Sequence, residues 1–279
     1  MTAPGLEGVR FLVHTPVFTF VTGLLDSRHF SSEHRGKIKV LEIGCGNGEL
    51  AVLLKKYYND NIDVIAIDPS VNAIQFAIDN YSSYHVTYKK AIVEDFGEEH
   101  DGTFDFIMFS KSLHHCEDIK HALNRTHALL KPKGLLLAEE FYQHDVEKRT
   151  TAWLSDRVDL VNAAGLYTQA AADHVEKERV GEMLDASRSG HDRWYSYFSE
   201  KNHPMPPRGV IDAAIAEVFG GEPQVVRNLP FLHNVFVPMG LDDSSVGSKV
   251  LATFMAQEDR AIRDNVIEGV GINYVAEKV

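Results

Sequence analysis

The 279-residue chain has only two cysteines, Cys45 and Cys116. Two thiols build neither a disulfide framework nor a zinc site, so a reducing, cytoplasmic setting is the default expectation. Basic charge is also scarce. Lys and Arg number 28 against 40 Asp and Glu, a net charge of −12, and basic residues adjoin only in short pairs such as Lys55-Lys56 and Lys89-Lys90. That argues against a nucleic-acid partner gripped through its phosphates. A long apolar run is missing too. The most membrane-like stretch, "FLVHTPVFTFVTGLL" (11–25), contains His14, Pro16 and three threonines. It is too short to span a bilayer, and no small-residue cleavage site follows it. It reads as one or two helices packing on the body, with no membrane contact. No internal repeat or low-complexity segment is visible.

What is present is an ordinary globular mixture, 44% hydrophobic and 24% charged. The length suits one elaborated α/β domain. Apolar strands are expected at 38–43, 62–68, 85–92, 104–110 and 135–141, separated by amphipathic helices near 48–58, 71–80 and 119–130. Strands that are apolar throughout and alternate with helices imply a mostly parallel sheet covered on both faces. Between 145 and about 205 no strand candidate occurs. Those residues read as a helical insertion, a lid over the carboxyl ends of the strands. The alternation resumes with a helix at 209–220, a strand at 222–231, a helix near 245–264 and a closing strand at 271–279. The expected arrangement is a single domain of four parts: N-terminal helices 1–36, a ligand-binding core 37–144, the lid 145–205, and the rest of the sheet 206–279.

The segment "VLEIGCGNGEL" (40–50) runs from strand through glycine-rich turn to helix. A dinucleotide fingerprint spaces its glycines G-x-G-x-x-G and leaves the helix N-terminus to a pyrophosphate. Here Gly44, Gly46 and Gly48 are spaced G-x-G-x-G, and Glu42 precedes them. That carboxylate would repel a pyrophosphate and suits a cationic ligand. Asp68, closing the second strand, can accept hydrogen bonds from both hydroxyls of a ribose. The implied ligand carries a ribose and a cation, and no phosphate.

With "EIGCGNG", Asp68, "SLHHCED" and "LKPKGLLLAEE" in place, the chain resembles the class I S-adenosylmethionine-dependent methyltransferases, small-molecule type, over 38–142. The resemblance implies a Rossmann-like, seven-stranded, mostly parallel sheet with S-adenosyl-L-methionine as cofactor. Glu42, Gly44, Gly46, Gly48, Asp68 and Pro69 would hold it, with Ser110 at the end of the fourth strand. Many relatives place an Asp or Asn after the third strand against the adenine amino group. Here that position is Ile92, so adenine would rely on Ile92, the backbone of Val93, and Glu94.

The resemblance also implies chemistry. Methyl transfer is an in-line displacement, so the protein mainly aligns the acceptor and excludes water. Hydroxyl and amine acceptors gain from a base, for which His115 is the first candidate and Glu140 the second. Of Glu139 and Glu140, strand alternation points one at the pocket. Oxygen is the expected acceptor atom, on a hydroxyl of a small molecule. A carboxylate, oriented by one of the lid arginines Arg149, Arg157, Arg188 or Arg193, and N-methylation are the alternatives. Another class, a cofactor-binding regulatory subunit without turnover, is opposed by the intact loop and Asp68. The chain lacks the Asn/Asp-Pro-Pro-aromatic signature of some amino-group methylating relatives and has "SKSL" there instead. No metal is expected: the neighbours His114, His115, Cys116, Glu117 and Asp118 cannot converge on one ion. A monomer or homodimer is expected.

Overall fold

The computed structural model describes residues 6–29, 36–168, 174–199, 204–207 and 209–279. Two helices, α1 (Val9–Leu12) and α2 (Thr15–His29), lead into β1 (Ile38–Ile43). Then follow α3 (Glu49–Tyr58), β2 (Ile62–Asp68), α4 (Val71–Tyr81), β3 (Thr87–Lys90), β4 (Phe104–Ser110), α5 (Ile119–Leu129) and β5 (Leu130–Phe141). Three helices come next, α6 (Lys148–Ala163), α7 (His174–Leu184) and α8 (Gly190–Tyr197). The chain closes with α9 (Val210–Phe219), β6 (Gln224–Leu229), α10 (Ser245–Arg263) and β7 (Gly271–Glu277).

The seven strands form one sheet in the order β3-β2-β1-β4-β5-β7-β6. Strands β1 to β5 pair in parallel, and β7 runs antiparallel between β5 and β6. This is the mostly parallel sheet that the alternation of elements implies, in the Rossmann-like, seven-stranded form that the resemblance implies. The chain reverses between β1 and β4, so the carboxyl edges of β1, β2 and β4 flank the crevice where such sheets bind ligands.

Alternation along β1 shows how both faces are covered. Val40 packs with Leu50 and Leu54 of α3 and with Val21 and Leu25 of α2. Leu41 packs on the other side, with Ile107, Leu123 and Ile215. The helices start where short polar side chains stand. Ser70 accepts from the Ala73 amide at α4, and Asp118 from the His121 amide at α5, satisfying donors the first turn leaves open. A third apolar cluster lies under α6–α8 and joins Leu154, Val158 and Trp194 to Phe231, Phe236 and Leu251.

Two expected boundaries move. β3 spans only 87–90, because it pairs with β2 alone and over four residues. The turn expected at "LKPKG" lies inside β5 as a bulge. Leu130 pairs with Phe104 and Leu135 with Phe106, so the extra residues loop out, with Lys133 at φ 63°. The helical insertion expected at 145–205 lies partly outside the described residues, and within it α7 covers 174–184.

Candidate functional site

The parallel register sets Ile43 beside Ile67, so the loop after β1 faces the end of β2. The amides of Gly44 and Cys45 donate to the Ile67 carbonyl at 2.8 and 3.0 Å. Asp68 ties the loop from the other side. Its Oδ2 accepts from the Gly46 amide at 2.9 Å, and its Oδ1 accepts from the Ser70 amide at 2.8 Å. Asp68 is therefore both a turn residue before Pro69 and a carboxylate at the mouth of the loop.

The loop glycines divide by role. A Cβ on Gly44 would strike Ser112, at 2.4 Å from its Cβ, and one on Gly48 would strike the Tyr88 ring at 2.5 Å. Those two positions are glycine because protein packs against them. Gly46 differs: φ is +52°, and an added Cβ would meet nothing within 4 Å. Its open side borders a cavity of about 800 Å³.

That cavity brings together most of the expected site. Gly44, Gly46, Asp68, Pro69, Ile92, Val93, Glu94 and His115 all border it. Glu42, Gly48, Ser110 and Glu140 do not. Ser110 instead donates to Glu139 Oε2 at 2.6 Å. Glu42 is buried at the end of β1, and its Oε2 has no hydrogen-bond partner among the described residues. Burial pushes its carboxyl up to about 8, Glu49 and Asp68 adding to the effect and Lys111 opposing it. Cys116, also on the cavity wall, has its thiol pushed up to about 12 by burial, which removes it as a thiolate nucleophile.

The carboxylates closing β5 are not a solvated edge pair. Glu139 and Glu140 are both buried, at 9% and 1% exposure. Glu140 pairs with His114, not His115. The two side chains meet at 2.6 Å between Nδ1 and Oε2, and the His114 amide donates to Oε1 at 3.2 Å. His115 lies next to it, with ring centroids 4.0 Å apart. Burial, then the neighbouring His114 ring, lowers His115 to about 4, with Arg179 acting the same way and Glu140 against it.

A second cavity of about 210 Å³ lies beneath α7 and α8. His114 borders it together with Phe141, Arg179, Tyr197, Phe198 and Phe231. Lys111 borders both cavities, so the turn after β4 separates a larger space holding His115 from a smaller one holding His114.

The arginines expected to orient a carboxylate take other partners. Arg193 is 1% exposed, holds Asp159 through both terminal nitrogens and donates to the Met183 carbonyl, thereby joining α6, α7 and α8. Arg188 pairs with Glu182 and Ser196, Arg157 stacks on Trp153, and Arg149 pairs with Glu147. None of the four borders either cavity. Of the aromatic cluster in this region, Trp194 donates to the Gln143 carbonyl and Tyr195 accepts from the Val146 amide, while Tyr197 and Phe198 reach the second cavity. Lys111, His114 and Arg179 border these cavities without having been expected there from the sequence. The doubled histidine was the available signal, since neighbours in a tight turn point different ways. The partner that selects between them, Glu140, lies 26 residues away.

Residues 20–201 match the family model described as a methyltransferase domain. The chain belongs to this family. The methyltransferase-domain protein is 26% identical over 202 residues to the polyketide synthase PksR of Bacillus subtilis (strain 168), covering 66% of this chain and 7% of PksR. It is 31% identical over 102 residues to the ubiquinone biosynthesis O-methyltransferase of Rhodopseudomonas palustris (strain BisB5), covering 36% of this chain and 38% of that protein. The chain thus spans well under half the length of either relative. In fold it is similar to the CurJ carbon methyltransferase, with a TM-score of 0.52 and 16% identity over 94% of this chain and 52% of the other. Among the described residues no group of three or more His, Cys, Asp or Glu could hold a metal ion, and no helix is long and apolar enough to cross a membrane.

Proposed function

We propose that this chain transfers a methyl group from S-adenosylmethionine to a small molecule whose accepting atom gives up a proton. The observation that carries this reading is the buried Glu140–His114 pair, which holds His114 on the wall of the second cavity. S-adenosylmethionine is the cofactor, and its sulfonium supplies the activated methyl group and a good leaving group. The residues present fit it. Gly46 leaves open space where a side chain would block a close ligand, and Asp68 stands at the same rim with a carboxylate suited to ribose hydroxyls. Glu42 lies buried behind the loop, off the cavity wall, and would favour the ligand's positive charge from there. Ile92, Val93 and Glu94 flank the far end, where adenine would lie.

The acceptor occupies the second cavity, whose aromatic walls exclude water and hold a flat or apolar body. Glu140 fixes the His114 ring through Nδ1, and the imidazole serves as the base. A carboxylate acceptor needs no base and would leave this pair idle. A hydroxyl is the first reading. The second is a carbon made acidic by flanking carbonyls, which the base and the apolar walls serve equally well. The test is methyl-¹³C S-adenosylmethionine with phenols, hydroxy acids, amines and β-dicarbonyl compounds, read by S-adenosylhomocysteine release and carbon NMR. Labelled methyl on oxygen or carbon supports the reading. Turnover confined to carboxylates would overturn it, and cofactor binding without turnover would favour a regulatory role.

A further inference from the structure

Lys111 follows β4 in a left-handed conformation, φ 59°, with its amide donating to the Glu139 carbonyl at 2.9 Å. Its Nζ donates to Asn234 Oδ1 at 2.8 Å. Asn234 is itself held, its Nδ2 donating to the Phe231 carbonyl at 3.0 Å. Behind it, His233 pairs with Glu258 at 3.0 Å, and Glu258, fully buried, also accepts from the Phe231 and Leu232 amides at 2.7 Å. His14 lies near Lys111 and His233, and burial first, then these neighbours, hold it well below its ordinary value. A polar support thus holds the head group of a lysine that borders both cavities, through Asn234 on the wall of the second. An ammonium has three donors, and Asn234 uses one.

We propose that Lys111 binds the oxygen of the acceptor that becomes negatively charged as His114 removes the proton, and that the natural acceptor is a phenol or an enolisable dicarbonyl. This rests on the base-assisted reading given above. In the step, the O–H or C–H proton passes to the imidazole of His114. The electron pair left on the acceptor forms the new bond to the methyl carbon, and the carbon–sulfur pair departs with sulfur. In the phenol case the Lys111 ammonium stabilises the charge on the attacking oxygen. In the dicarbonyl case it stabilises the enolate oxygen while carbon attacks. A preorganised cation at such a point favours the ionised acceptor over the neutral one. The other cation on the wall, Arg179, lies over the Tyr197 ring at 4.5 Å and donates to the Tyr197 carbonyl at 3.3 Å. It belongs to the lid and serves as the control.

The probe is 4-nitrophenol, whose ionised form is coloured, titrated into the full chain saturated with S-adenosylhomocysteine. The wild type should bind nitrophenolate at least tenfold more tightly than nitrophenol. Lys111→Met should bring that ratio close to one, and Lys111→Arg should restore most of it. Asn234→Ala should reduce it two- to fivefold, which keeps the test open if Lys111→Met does not fold. Arg179→Gln should keep the preference. No preference in the wild type, a preference that survives Lys111→Met, or an equal loss in Arg179→Gln would overturn the proposal. Methyl transfer is scored separately with the acceptor panel, so failure of the catalytic reading would show as absent turnover with the anion preference intact.

Discussion

Nδ1 of His114 lies 2.6 Å from Oε2 of Glu140, and both side chains are 1% exposed. A second buried pair, His233 and Glu258, is similar in geometry at 3.0 Å. The difference lies in what surrounds them. Glu258 is occupied by the Phe231 and Leu232 amides, and its pair braces the turn behind Asn234. His114 stands on a cavity wall beside aromatic rings. One pair braces a turn; the other puts His114 on a cavity wall.

The loop after β1 gives the first prediction. Gly46→Val puts a branched side chain into the open side of the loop, at a positive φ that such residues resist. Binding of S-adenosylhomocysteine should be abolished in a protein that still melts cooperatively. Asp68→Ala should weaken it ten- to a hundredfold, about 1.5–3 kcal/mol for lost charged hydrogen bonds, and should loosen the Gly46 amide as well. Unchanged affinity by calorimetry in either variant would take the loop out of the site.

Glu42 gives a linkage prediction. Its carboxyl is raised to about 8 from an ordinary 4.5, chiefly by burial. A raised acid contributes stability that is fully present below the ordinary value and is lost as pH rises towards 8, on the order of a few kcal/mol. A ligand cation held at the adjoining loop should favour its ionised form across the loop. S-adenosylhomocysteine binding at pH 7 should therefore release a proton, detected as a dependence of the calorimetric heat on buffer ionisation. Glu42→Gln should remove the release and flatten the fall in stability between pH 5 and 8. Release that persists in Glu42→Gln would assign the proton elsewhere.

Much of this was legible in the sequence because it is local. The apolar strands, the Ser70 and Asp118 caps and the glycine spacing each act within a few residues. Gly44, Gly46, Asp68 and the Ile92–Glu94 segment come together because parallel strands end at one edge. The illegible part depends on partners distant in the chain. Nothing near Arg193 announces that Asp159 and the Met183 carbonyl will claim it. Nothing in "LHH" tells which ring meets Glu140 and which meets the larger cavity. Lys111 reads as an ordinary loop lysine until Asn234, 123 residues on, is folded against it.

His115 is lowered to about 4, so it stays neutral from pH 7 down to pH 5 and cannot set an acid limb there. His115→Ala should leave the acid limb of the rate profile in place, with kcat within about tenfold of wild type and a raised KM for the cofactor. Loss of that limb in His115→Ala would make His115 the base after all.

Arg193→Ala should act on stability and leave substrate affinity alone. The guanidinium gives up hydrogen bonds to Asp159 and the Met183 carbonyl, worth about 1.5–3 kcal/mol for a charged donor. Thermal melting should move down by several degrees, with acceptor KM unchanged in the folded fraction. A raised KM at unchanged melting temperature would instead place Arg193 at the acceptor.

The central claim is that His114, oriented by Glu140, takes the acceptor's proton. Single-turnover methyl transfer, measured across pH with an acceptor identified from the panel, tests it most directly. His114→Ala should slow the chemical step by about 10²–10⁴ with S-adenosylhomocysteine affinity nearly intact, and Glu140→Gln should slow it by a smaller factor through loss of the ring's orientation. The loss in His114→Ala should shrink for acceptors that are already ionised at the working pH. A His114→Ala variant that binds cofactor and transfers methyl to a neutral hydroxyl or carbon acid at the wild-type rate would contradict the account.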